Sequence, residues 1–202
     1  ANTGGLTKEG AATLTIVGSS SYGGLTTVNN GSLVLANPAG TNLLTGGVAG
    51  AGILEHTGPG MTIIGGNAAG FSGALNISNG VVQFSTMTAV PSGFQSVNVG
   101  PGGAVAFDSA GVQGALNSGQ VSPGSAGAVA LTANTANEDV DFSVSGHSAM
   151  SLGAVGTVTY GGTLTPDPFS GLGYHLGGGG GTLIYTNAIK TNNLLTVGLN
   201  AG

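Results

Sequence analysis

The sequence predicts an all-β chain wound as a right-handed parallel β-helix of roughly 8–10 coils with glycine-rich corners. Three observations predict it: short β-branched apolar runs, glycine turns between them, and a long segment that repeats itself. Helix is disfavoured throughout, because 42 of the 202 residues are glycine and each interior glycine costs a helix ~1 kcal/mol.

The runs come in order as Ala12–Val17, Gly31–Leu35, Ala74–Ile77 and Gly103–Phe107. They alternate apolar and polar residues, as strands with one buried face do. Turn residues separate them: Asn29-Asn30-Gly31, Asn79-Gly80, Pro101-Gly102-Gly103 and Pro123-Gly124. Short strands at this spacing are compatible with a sandwich, a barrel or a solenoid.

The repeat decides between them. Residues 4–35 lie over 52–84 at an offset of 48, which becomes 49 after one inserted residue. Gly4 falls on Gly52, Leu6 on Leu54, Gly10 on Gly58, Ile16 on Ile64 and Gly18 on Gly66. Tyr22 then falls on Phe71, Gly24 on Gly73, Val28 on Ile77, Gly31 on Gly80, Leu33 on Val82 and Leu35 on Phe84. A fainter third echo, residues 97–107, replays Val28 to Leu35 with a longer turn, and residues 110–202 read as a more degenerate part of one solenoid spanning 1–202. A period of this size fits two coils of roughly 20–25 residues. Eight to ten coils at ~4.8 Å each make a rod of roughly 40–50 Å. Leu14, Ile16, Leu33 and Leu35 point inward and stack on the next coil, glycines take the corners, and Tyr22 and Phe71 are expected to stack as a ladder.

Composition narrows the function. Charged residues are only 4% of the chain, but 40% is apolar, enough to bury a core. Two cationic side chains, both lysine, exclude a phosphate footprint and with it nucleic acid. The absence of cysteine excludes disulfides and thiolate metal sites. No apolar run approaches the ~20 residues of a membrane helix, so membrane insertion is not expected. The chain opens Ala1-Asn2-Thr3-Gly4 without a signal peptide, as a processed or excised section of something longer would.

The segment Gly4–Leu35 resembles the autotransporter-associated β-strand repeat of bacterial surface proteins. The residues that carry the likeness are Gly4-Gly5-Leu6-Thr7-Lys8, Gly10, Thr13–Ile16, Gly18, Tyr22, Gly24, Thr26, Val28, Gly31, Leu33 and Leu35. In the second copy His56 stands for the lysine and Phe71 for the tyrosine. The remainder is similar to the wider passenger regions that carry such repeats, including very large ones from planctomycete-like bacteria. The resemblance implies a right-handed parallel β-helix, export to the cell surface, roles in adhesion, matrix or surface layers, and no catalytic residues.

Side-chain chemistry offers few competing sites. Seven acids exist: Glu9, Glu55, Asp108, Glu138, Asp139, Asp141 and Asp167. Glycoside hydrolysis needs two carboxylates about 5–10 Å apart, and Glu9 and Glu55 are the pair that could share a corner of successive repeats. They do not align, since Glu9 falls on Thr57, and no enzyme is expected. Asp139 and Asp141 share one face of a strand and form a weak Ca²⁺ candidate beside the plainer reading of a solvated turn. No other cofactor is implied. His56, His147 and His175 lack a second ligand at metal spacing and read as surface or corner residues. Gly177–Gly181 lacks the Lys-Ser or Lys-Thr of a phosphate loop and reads as a tight corner. Asn30-Gly31-Ser32 and Asn76-Ile77-Ser78 match a short glycosylation sequon. The predicted function is an extracellular structural or adhesive protein that stacks head-to-tail with itself or continues into a longer β-helix. A surface carbohydrate-binding module is the alternative, and a polysaccharide-active enzyme the third reading.

Overall fold

A computed structural model describes residues 3–93, 96–143, 146–166, 173–190 and 194–198. The chain is a parallel β-solenoid of about eight turns with very little helix. The first turn carries β1 (Leu6–Lys8), β2 (Thr13–Ile16) and β3 (Ser21–Tyr22), the second β4 (Thr26–Val28), β5 (Ser32–Leu35) and β6 (Thr41–Leu44). The third carries β7 (Val48–Ala49), β8 (Ile53–His56) and β9 (Met61–Ile64). In the next two turns one long strand rounds a corner: β10 (Leu75–Phe84), then β11 (Val97–Phe107). A short helix, α1 (Val112–Asn117), precedes β12 (Ala128–Leu131). The last turns hold β13 (Val140–Asp141), β14 (Ser151–Ala154), β15 (Thr157–Tyr160), β16 (Leu164–Thr165), β17 (Tyr174–Leu176), β18 (Thr182–Tyr185) and β19 (Leu195–Val197).

Among the described residues every strand pairing is parallel and between successive turns, and in the first turns the strands fall into three ladders. The first ladder is β1–β4–β7. The second is β2–β5–β8, continued by the starts of β10 and β11. The third is β3–β6–β9, continued by the ends of β10 and β11 and then by β12, β14, β17 and β19. Stacking of like positions builds the core. Leu14, Leu33, Leu54 and Leu75 form one inward row. Tyr22, Leu44, Ile64, Phe84, Phe107 and Leu131 form another. Val28, Leu33, Leu35, Ile64, Ile77, Val82 and Phe84 are buried, each such side chain stabilising the fold by about 1.5–3 kcal/mol.

Gly31 and Gly80, equivalent in the two repeats, both turn the chain with φ near +65°, a conformation a Cβ resists. Gly24 and Gly73 meet a different constraint, close approach: a Cβ at Gly73 would stand 1.8 Å from the Gly52 carbonyl oxygen. The longer turn of the third echo appears as a shift of register between β10 and β11, from Ile77↔Val99 to Asn79↔Gly102.

Three expectations about the repeat are corrected. Its period is not two coils. The second ladder joins Leu14 to Leu33, Leu33 to Leu54 and Leu54 to Leu75. One coil therefore takes roughly 20 residues and two coils take roughly 40 residues. An offset of 48 overshoots two coils by one strand. Lys8 therefore lies on the first ladder and its repeat equivalent His56 on the second. For the same reason Tyr22 and Phe71 do not stack: Tyr22 pairs with Leu44, whereas Phe71 bridges to Gly50 on another side of the coil. Glu9 and Glu55 are likewise a side apart rather than at one corner.

Candidate functional site

The strand alternation that half-buries Leu6 and buries Leu54 also turns the residue two positions on toward the interior. That residue is Lys8 in the first repeat and His56 in the second, and both are buried. Each donates to at least one carbonyl of the turn that follows it, and Lys8 also reaches the equivalent turn of the next coil. Lys8 Nζ donates to the carbonyls of Glu9 at 2.6 Å, Gly10 at 2.6 Å and Asn30 at 3.2 Å. His56 Nε2 lies 3.0 Å from the Gly60 carbonyl and Nδ1 lies 3.1 Å from Thr62 Oγ1. A carbonyl only accepts, so Nε2 carries the proton and Nδ1 accepts from the Thr62 hydroxyl. Burial holds the His56 pKa below its usual value, with the Gly60 carbonyl opposing. These two side chains are clamps on the tight turns, a role the alignment of Lys8 with His56 and their inward phase could have revealed.

The other histidines are also inside rather than on corners. His147 Nε2 lies 3.1 Å from the Val121 carbonyl, and His175 is 5% exposed.

The acidic segment is engaged locally. Glu138 accepts from the backbone N–H groups of Gly111 and Val112 at the start of α1. Asp139 Oδ1 accepts from Thr163 N at 2.6 Å, and Asp141 Oδ1 accepts from Ser143 N at 2.8 Å. Among the described residues no three His, Asp or Glu side chains converge as metal ligands would. Glu9 accepts from Asn29 and Asp108 from Asn134, while Asp167 lies outside the described residues. Gly177–Gly180 all have positive φ and carry the chain across Gly153, where a Cβ would meet the Gly178 carbonyl oxygen at 2.1 Å. The glycine run is thus a crossing that needs bare backbone.

Apolar exposure is concentrated at the two ends of the coil. Leu14, Val17 and Leu25 are exposed near the first turn, and Ile184, Ile189, Leu194, Leu195 and Val197 in the last, against Ile53 alone between them among the described residues. Leu14 corrects the expectation of a buried ladder residue. It stacks on Leu33 but is 38% exposed, because no described coil covers its other side. Ile16, stacked on Leu35, is only half-buried for the same reason.

The last turns also hold three of the four tyrosines. Tyr160 and Tyr185 are stacked with centroids 5.8 Å apart, and Tyr174 tilts against Tyr185 at 6.3 Å. Burial raises the pKa of Tyr160, and the Asp139 charge raises it further. Its hydroxyl donates to the Thr163 carbonyl at 2.8 Å. Beside this cluster opens a cavity of about 480 Å³.

Parallel strands, inward ladders and glycine corners define a β-solenoid of the kind built by stacking a repeated sequence. Residues 6–35 and 54–84 match the model of the passenger-associated-transport-repeat, an autotransporter passenger repeat family. The repeat implies a secreted or surface location. No curated protein and no solved structure matches the chain. Among the described residues no helix is long and apolar enough to cross a membrane.

Proposed function

We propose that this chain is a non-catalytic section of an extracellular rod on a bacterial surface, serving as structural or adhesive material. The observation that carries the proposal is the apolar exposure at the first and last turns, set against a middle that buries its large apolar side chains. Each turn of the coil is covered by the next, and the open turns offer the same surface to a further coil. That coil belongs either to more of the same protein or to another copy docked head-to-tail, a contact that does not close and so builds a filament. A rod role also accounts for carboxylates that hold backbone and side-chain amides instead of facing one another across a groove.

Negative-stain microscopy over a range of concentrations tests the docking. Rods that lengthen with concentration at constant width, and that shorten in Leu14→Lys, are expected. Short monodisperse rods at every concentration would overturn self-assembly and leave the open turns to flanking coils of the same protein.

A further inference from the structure

We infer that the cavity beside the tyrosine cluster is a saccharide-binding pocket. Its volume, about 480 Å³, lies within the ~300–1,000 Å³ of small-molecule sites. It is lined by Tyr174 and Tyr185 together with Thr163, Thr165, Asn187 and Lys190. A pyranose ring presents an apolar C–H face and an equator of hydroxyls. The first matches an aromatic ring and the second matches hydroxyl, amide and ammonium groups.

The cluster is built to hold Tyr185 still. Its ring stacks on Tyr160 at an interplanar angle of 26°, and the two sit in register on neighbouring strands. Tyr160 is in turn fixed by its bond to the Thr163 carbonyl. Asn187 is oriented by donating its amide to the Gly162 carbonyl. Thr163 and Thr165 stand on either side of Leu164 and so project on the same face, both exposed. A preorganised aromatic platform with fixed polar neighbours loses little entropy when a ligand docks.

The pocket lies in the last turn, but its lining differs in kind from the aliphatic side chains exposed there and at the first turn. The side chains exposed at the first turn, Leu14, Val17 and Leu25, are aliphatic. Burying them against the hydroxyls of two threonines and the ammonium of a lysine would leave those polar groups without partners. A hydroxylated ligand satisfies them. Lys190, one of only two cationic side chains in the chain, gives the lining a positive group, so a uronate-bearing sugar gains one ion pair over a neutral one.

The test uses the whole chain and an array of neutral and uronate-bearing oligosaccharides, followed by titration of each hit. The chain has no tryptophan, and three of its four tyrosines form this cluster, so tyrosine emission reports the site directly. At least one oligosaccharide should bind and change that emission. Tyr185→Ala and Thr165→Arg should each weaken it at least tenfold; the second fills the pocket from an exposed position and spares the core. Thr15→Arg, the same change on an exposed strand position of the first turn, should leave binding unaltered. Lys190→Ala should weaken uronate-bearing ligands and spare neutral ones. No retained oligosaccharide, or equal binding by Thr165→Arg, overturns the proposal. So does a Thr165→Arg variant that stops self-association without affecting sugars, which would assign the cavity to coil stacking.

Discussion

Residues 6–107 and residues 108–198 build the same solenoid by different means. In the first part a turn takes roughly 20 residues, as from Leu33 to Leu54 and from Leu54 to Leu75. Nearly all of each such turn is strand or tight corner. In the second part a turn takes roughly 25 residues, as from Phe107 to Leu131 and from Val158 to Leu183. The added residues form α1 and looser connections. Inward rows also change, from Leu, Ile and Phe to a mixture with alanine and tyrosine: Phe107 is followed by Leu131 and Ala154, and Val158 and Tyr160 are stacked on Leu183 and Tyr185. The parallel ladder persists where the sequence repeat has faded. A coil needs an inward apolar residue at alternate positions and a corner that does not clash; it does not need the same residue each time. Close backbone crossings persist in both parts, at Gly73 in the first and at Gly153 in the second, and the second part adds longer connections between them.

The largest expected effect tests such a crossing. Gly73→Ala places a methyl against the Gly52 carbonyl and should cost about 3 kcal/mol or more. Gly114→Ala, in α1 with nothing within 4 Å of the new methyl, should instead stabilise by ~1 kcal/mol. Urea unfolding of both variants decides it, and equal effects would break the contrast between tight corners and relaxed connections.

Next comes the depth of a single ladder. Leu33→Ala should cost about 2–5 kcal/mol, because the side chain is fully buried between its neighbours. Leu14→Ala removes the same atoms from the same row at its open end and should cost under about 1 kcal/mol. Measured on assembled rods, Leu14→Ala should rise toward the Leu33→Ala value. A Leu14 cost that stays small in long rods would show that the docking coil does not cover this row.

The smallest effect is the pH dependence at His56. Burial lowers its folded pKa beneath the ordinary value of 6.5. Above about pH 6.5 both folded and unfolded forms are neutral there and stability is independent of this group. As pH falls below that value the unfolded chain takes up the proton first, and stability declines until the folded pKa is passed. His56→Leu should lose part of this acid-side slope while being less stable at pH 8, because Gly60 and Thr62 lose a partner. An unchanged slope between pH 5 and 7 would remove His56 as the titrating group.

The sequence by itself determined the parallel coil, through the apolar alternation at Leu33, Leu35, Val82 and Phe84 and the glycines at 31 and 80, because period-2 burial and positive φ are local demands. It also carried the repeat, since the copies align residue by residue. What only the tertiary structure decided is how that repeat is wound. An offset of 48 is compatible with many coil lengths, and the coil circumference is set by how much side-chain volume three ladders must enclose. That circumference moved His56 one side on from Lys8, separated Tyr22 from Phe71, and brought Tyr160, Tyr174 and Tyr185 together from positions the sequence holds apart. Contacts between coils join residues a full turn apart, and their identity depends on a winding number that no local pattern encodes.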